Sequence, residues 1–267
     1  MIFSFARLKA IYRLWELSSP WSWESWISFV KGLIIFITET ESQVVLPTFQ
    51  GTQYQNQISS SSISKILIYY DTFSAGQEPC ELAANNLGLN VSSFRSNASG
   101  FTSAYDSESW DLVVVDIPGS NIPNNVKTKV IDRLTNNEKI IFSFWRLHND
   151  SDLKNALEVS TVSYSSPRNI YPTSGAPVNL FTSSETINSP MIKSHDAGIN
   201  GQYLTATSGG QPLLSSDSES GSTISMLTNS ATAVVLGFLP YDFQNTNADG
   251  DSNNDIVELF MNIISYL

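Results

Sequence analysis

Four short apolar runs punctuate the chain: residues 65–71 (KILIYYD), 111–117 (DLVVVDI), 139–145 (KIIFSFW) and 231–239 (ATAVVLGFL). Each is continuous rather than alternating, the pattern of a strand covered on both faces in a parallel sheet. Helical spacing fills the gaps. After Pro79, residues Cys80, Ala83, Ala84 and Leu87 form an apolar stripe that Gly88 ends. Val126, Val130, Ile131 and Leu134 line a helix over about 125–136, and Ile256, Val257, Phe260, Ile263, Ile264 and Leu267 line a final helix. Residues 90–95 read as a weaker second strand and 104–110 as a single helical turn. Ser151 reads as the N-cap of a short helix, and Asp255-x-x-Glu258 as a capping box with Asp in the usual Ser/Thr position.

Strands alternating with helices predict a three-layer α/β/α sandwich, a doubly wound and mostly parallel sheet with right-handed crossovers. From 159 to 230 helical periodicity is lost and Ser, Thr, Gly and Pro dominate. Short strands are expected at 178–182, 203–206 and 223–227, in an antiparallel β-rich insertion over one edge or end of the sheet. Residues 43–63 read as a polar linker. Residues 1–42 hold four of the six tryptophans, Trp15, Trp21, Trp23 and Trp26. Their most apolar piece, 26–37, is interrupted by Lys31 and is short for a membrane span. Three readings fit this segment: an export signal or anchor, an amphipathic helix lying on a membrane surface, and a non-native extension or docking helix.

The chain of 267 residues carries a formal net charge of −11. Residues 1–60 balance four basic against four acidic groups, so the excess lies in 61–267. An acidic body repels phosphate backbones, which argues against a nucleic-acid partner. One cysteine, Cys80, and two histidines, His148 and His195, exclude an internal disulfide and a cysteine cluster and argue against a His-rich metal site. No cofactor is expected. Cys80, on an apolar helix face, reads as a small buried hydrophobe.

The ordered set of segments over residues 64–267 resembles the class I glutamine amidotransferase-like, flavodoxin-like superfamily. The run 111–119, ending in Pro118-Gly119, is similar to a strand of that family that ends in Pro-Gly or Gly-Gly. The run 139–145 stands where its nucleophile strand belongs, and Val234-Val-Leu-Gly-Phe-Leu-Pro-Tyr-Asp242 where its histidine strand belongs. The family's nucleophile is a Cys in a Gly-x-Cys-x-Gly elbow; the matching residues are Ser143-Phe144-Trp145-Arg146. Its base lies in Phe-His-Pro-Glu; the matching residues are Phe238-Leu239-Pro240-Tyr241. Neither Trp145 nor Leu239 can do that chemistry. The resemblance, closest to non-catalytic members in bacterial secreted or surface proteins, therefore implies a binding or structural module, exported or envelope-associated.

Ligands of open α/β sheets bind beyond the carboxyl ends of the strands. Asp71, Asp116, Arg146, His148 and Asp242 are the candidate catalytic residues there, and Trp145, Tyr241 and Gly119 the candidate ligand contacts. They define the alternative function, a carbohydrate-active or other hydrolase using rim carboxylates. The partner is then a small molecule, a glycan or a protein, with membrane contact through 1–42 as a further reading. Asp249, Asp251, Asn253 and Asp255 alternate oxygen ligands as calcium loops do. Gly250 is misplaced for an EF-hand and no Glu is read as closing a twelve-residue loop, so a solvated loop leading into the helix is the plainer expectation.

Overall fold

The computed structural model describes residues 63–71, 78–164, 169–196, 198, 201–244 and 246–267. The expectations for 1–42 and for the linker up to 62 lie outside these residues. Eleven strands are present among them: β1 (Lys65–Tyr70), β2 (Asn90–Arg95), β3 (Leu112–Ile117), β4 (Ile140–Phe144), β5 (Val159–Tyr164), β6 (Asn169–Pro172), β7 (Met191–Ile192), β8 (Gly201–Ala206), β9 (Gln211–Ser216), β10 (Thr223–Thr228) and β11 (Ala233–Leu236). The α-helices are α1 (Pro79–Asn86), α2 (Ala98–Ser107), α3 (Asn124–Thr135), α4 (Ser151–Ala156) and α5 (Asp255–Tyr266).

Nine strands form one sheet in the order β2-β1-β3-β4-β11-β10-β9-β6-β7. The first five are mutually parallel and the remaining four continue it antiparallel. β5 and β8 pair separately as an antiparallel ribbon. Successive residues of the parallel strands enter different core clusters. Ile66 and Ile68 pack with Cys80 and Ala84 of α1 and Ile256 and Phe260 of α5. Leu67 and Tyr69 pack with Phe101 of α2, Val130 of α3 and Leu153 of α4. Both faces of these strands are thus dry, which is why their sequences are continuous apolar runs. Each fully buried Leu, Ile or Phe contributes about 1.5–3 kcal/mol to that burial.

Local chemistry sets the helix ends. Gly88, at φ 71, closes α1; its N–H donates to the Asn85 carbonyl, and the Leu89 N–H donates to Ala84. Four expectations shift. The helical turn looked for at 104–110 is the end of a longer helix, α2, which starts earlier because the Asn97 side chain accepts the Gly100 N–H at 3.0 Å. The cap of α4 is Asp150, which accepts the Leu153 N–H at 3.1 Å, so Ser151 is already helical. The capping box before α5 does not form: Asn254 stands at the N-cap, and Asp255 instead accepts the Ala248 N–H at 3.0 Å. The strand expected at 178–182 is a bend, in which Asn179 accepts the N–H groups of Phe181 and Thr182. Among the described residues no helix is long and apolar enough to cross a membrane.

Candidate functional site

The order of the five parallel strands reverses between β1 and β3, where a crevice opens in such sheets. Asp71 stands there, just past β1. One carboxylate oxygen accepts the N–H groups of Gly119 (2.9 Å) and Ser120 (2.7 Å) in the turn that follows β3. Two adjacent N–H groups are the kind of donor pair that holds an anion or an oxyanion. Here the chain supplies the anion itself.

Beside Asp71, Asp116 is the next-to-last residue of β3 and is 3% exposed, as is Glu78 before α1. Ser143 of β4 is in register with Asp116. Glu78 Oε1, Asp116 Oδ1 and Ser143 Oγ are buried with no hydrogen-bond partner. Burial, then repulsion from Asp116, holds the Glu78 carboxyl well above the usual range. Burial is also the main cause for Asp116, pushed up to about 7, with Asp71 repelling it. Glu78 and Ser143 escaped the sequence reading. The one signal was a lone hydroxyl in the apolar run of β4.

Trp145 and Leu239 lie just beyond the same ends of β4 and β11, which are parallel neighbours with Ser143 opposite Leu236. The chain at 143–147 contains no left-handed residue, so no strained elbow presents a side chain there. The Trp145 indole donates to the Ser120 carbonyl at 2.7 Å, and the Arg146 guanidinium lies 4.3 Å over its ring while donating to Asn121 Oδ1. Gln202, buried and not singled out by sequence, clamps this corner. Its side-chain N–H groups donate to the Trp145 carbonyl (2.5 Å) and meet His148 Nδ1 (3.0 Å), and its Oε1 accepts the His148 N–H. His148 Nδ1 is therefore the acceptor and Nε2 bears the ring proton.

Asp242 is fully buried. Lys193 Nζ lies 3.4 Å from it, and the Asp242 carbonyl accepts the Ser194 and His195 N–H groups. Tyr241 meets His195 edge to face at 4.7 Å. The candidate residues thus divide among three settings. Asp71 and Asp116, with Gly119, form a buried acidic cluster at the switch point. Trp145, Arg146 and His148 tie the end of β4 to its neighbours. Tyr241 and Asp242 fasten the 193–196 segment. Next to the Trp145–Arg146 stack, a polar cleft of about 250 Å³ is lined by Asn121, Asn124, Lys127, Arg146, Asn149 and Asp150, among others.

The acidic loop before α5 is arranged differently from its sequence pattern. Asn253 accepts from Asn86 on α1, so its side chain is turned to another helix. Carboxylate oxygens of Asp249, Asp251 and Glu258 lie within 4.8 Å of one another. Glu258 is the twelfth residue counted from Asn247, so a Glu does close a loop of that length. It is 1% exposed, and burial followed by repulsion from Asp249, Asp251, Asp255 and Glu185 pushes its carboxyl up to about 7.

No protein-family model matches the sequence, nor does any curated protein. Solved structures are similar at low identity. A candidate GMP synthase component from Thermoplasma acidophilum is 12% identical, covers 75% of this chain and 92% of its own, and has a TM-score of 0.46. A glutamine amidotransferase from Methylobacillus flagellatus is 12% identical over 67% of this chain and 71% of its own, with a TM-score of 0.44. Alpha-L-fucosidase isoenzyme 2 from Paenibacillus thiaminolyticus is 11% identical over 76% of this chain but only 32% of its own, also at 0.44.

Proposed function

We propose that this domain is a non-catalytic, amidotransferase-like three-layer α/β/α module that binds a polar ligand or serves a structural role in an exported or envelope-associated protein. The observation that carries the reading is the pair of residues beyond adjacent strands β4 and β11. They are Trp145, whose carbonyl and indole are both engaged, and Leu239, which is buried. Neither is a nucleophile or a proton acceptor. The donor pair nearby is already filled by Asp71. A ligand rich in hydroxyl or amide groups, a glycan for example, suits the polar cleft beside Arg146, where three asparagines and Lys127 offer donors and acceptors. The test is incubation of the full chain with glutamine and with an activated ester. No ammonia release and no hydrolysis above background are expected; turnover at an ordinary enzymatic rate would overturn the reading.

A second reading, a hydrolase working through carboxyl groups, is favoured by the Glu78–Asp116 pair. Two neighbouring buried carboxyls, both pushed upward by burial, Asp116 to about 7, can act as acid and base. Glycoside and ester hydrolysis that disappears in Asp116→Asn while the fold persists would select it.

A further inference from the structure

We propose that the 247–255 loop and the first turns of α5 form a divalent-cation site for calcium, with Asp249, Asp251 and Glu258 as carboxylate ligands. Glu258, rather than the acidity of the loop, is what points to a cation. Its Oε2 is buried and has no hydrogen-bond partner, although most buried polar atoms in proteins have one. A carboxylate oxygen of Glu258 lies within 4.8 Å of one from Asp249 and one from Asp251, and both of those residues are exposed. No lysine or arginine forms a salt bridge with any of the three among the described residues. A buried carboxylate close to two others needs a proton or a cation.

Several features select calcium among cations. The oxygen-only ligand set disfavours zinc and copper, which take imidazole and thiolate. The site is half loop and half helix, with two of its three carboxylates on exposed loop residues, which suits calcium's larger and more variable shell over magnesium's strict octahedron. The loop is held in shape without using up the ligands. Asp255 accepts the Ala248 N–H, and Asn247 accepts the Gly250 N–H while donating to the Asp251 carbonyl. Asp249 Oδ1 accepts the Asp251 N–H at 3.1 Å, and Asp251 Oδ1 accepts the Asn253 N–H at 2.6 Å, in each case leaving the second oxygen of that carboxylate for a cation. This arrangement is not an EF-hand, because Gly250 falls at the fourth position of the twelve rather than the sixth.

The experiment is calorimetric titration and thermal unfolding of the full chain, first stripped with a chelator, then given calcium chloride or magnesium chloride. One calcium equivalent is expected to bind and to raise Tm by about 5 °C at saturation, with a smaller shift for magnesium. Asp251→Asn and Glu258→Gln should each remove the calcium response, and Glu258→Gln should also raise Tm in chelator. Asp249→Asn, at an exposed position, serves if Glu258→Gln does not fold. No heat and no Tm shift up to about 10 mM calcium, well above the range of weak extracellular modules, would overturn the proposal. A calcium response unchanged in the Asp249→Asn and Asp251→Asn variants would overturn it equally.

Discussion

The main chains of Gln202 and Gly237 lie directly against each other: the Gln202 N–H donates to the Gly237 carbonyl at 2.5 Å, and the Gly237 N–H donates in turn to Ile224. A Cβ on Gly237 would collide with the Gln202 carbonyl oxygen, a backbone atom that cannot rotate away. Gly237→Ala therefore forces β8 away from the end of β11. A loss of about 1–3 kcal/mol, the range for overpacking, is expected from urea unfolding. An unchanged midpoint would show that the two chains separate freely.

Asp116 gives the protein a specific pH dependence. An unfolded aspartate ionises near its ordinary value, whereas in the fold Asp116 keeps its proton up to about 7. The folded protein therefore holds more protons over that window, and stability falls as pH rises through it. The loss starts near the unfolded value, is complete above the folded one, and amounts to at most about 4 kcal/mol. Asp116→Asn should be more stable than the parent at about pH 8 and show a shallower pH slope, with Glu78 leaving a residue of the same sign. Urea midpoints across the window measure it; equal slopes would contradict it.

Asn262 uses all of its hydrogen-bonding capacity inside the core. Its Oδ1 accepts the Ser184 and Glu185 N–H groups at 2.8 and 2.6 Å, and its Nδ2 donates to the Leu180 and Glu185 carbonyls. It is fully buried. Asn262→Leu keeps the branched shape, adds some bulk and strands two N–H groups and two carbonyls, so a destabilisation of about 2–4 kcal/mol is expected. Proteolysis within 180–187 should accelerate in the variant, because that segment loses its hold on α5. Equal cleavage rates would show that the segment is held by other contacts.

Asp71→Ala removes the acceptor of two turn N–H groups. Gly119 and Ser120 are partly open to water, so the expected cost is modest, about 1–2 kcal/mol. Asp71→Asn, which keeps an acceptor oxygen, should recover part of it. Asp71→Ala should also strengthen binding of small anions such as acetate at the freed donor pair, readable by chemical-shift changes at the Gly119 and Ser120 amides. No such shifts would mean that the pair closes on itself.

Much of the fold was legible because the relevant signals are local. Val113, Val114 and Val115 in sequence, or Ile140, Ile141 and Phe142, fit only a strand that is dry on both faces. The stripe on α1 and Gly88 behind it fixed that helix. The start of α2 was harder to see, since Phe101 is its only fully buried residue and Ser, Gly and Thr are weak helix formers. Its signal was Asn97 three residues before Gly100. The 159–230 segment was legible as β-rich but not as paired, because β6 is placed by pairing with the distant β9, which itself pairs with β10, and β7 by pairing with β6.

The sequence alone determined the alternation of buried strands with amphipathic helices, the surplus of carboxylates and the apolar residue types at Trp145 and Leu239. These depend on residue type and on periods of two and 3.6. Only the tertiary structure decided how those carboxylates are used. Asp71 is consumed by a turn, Glu78 and Asp116 oppose each other, Asp242 meets Lys193, and Glu258 is left buried without a partner. The reason is physical. A carboxylate's state is set by what lies within a few ångströms of it, and for Asp71, Glu78 and Asp242 those neighbours come from distant parts of the chain.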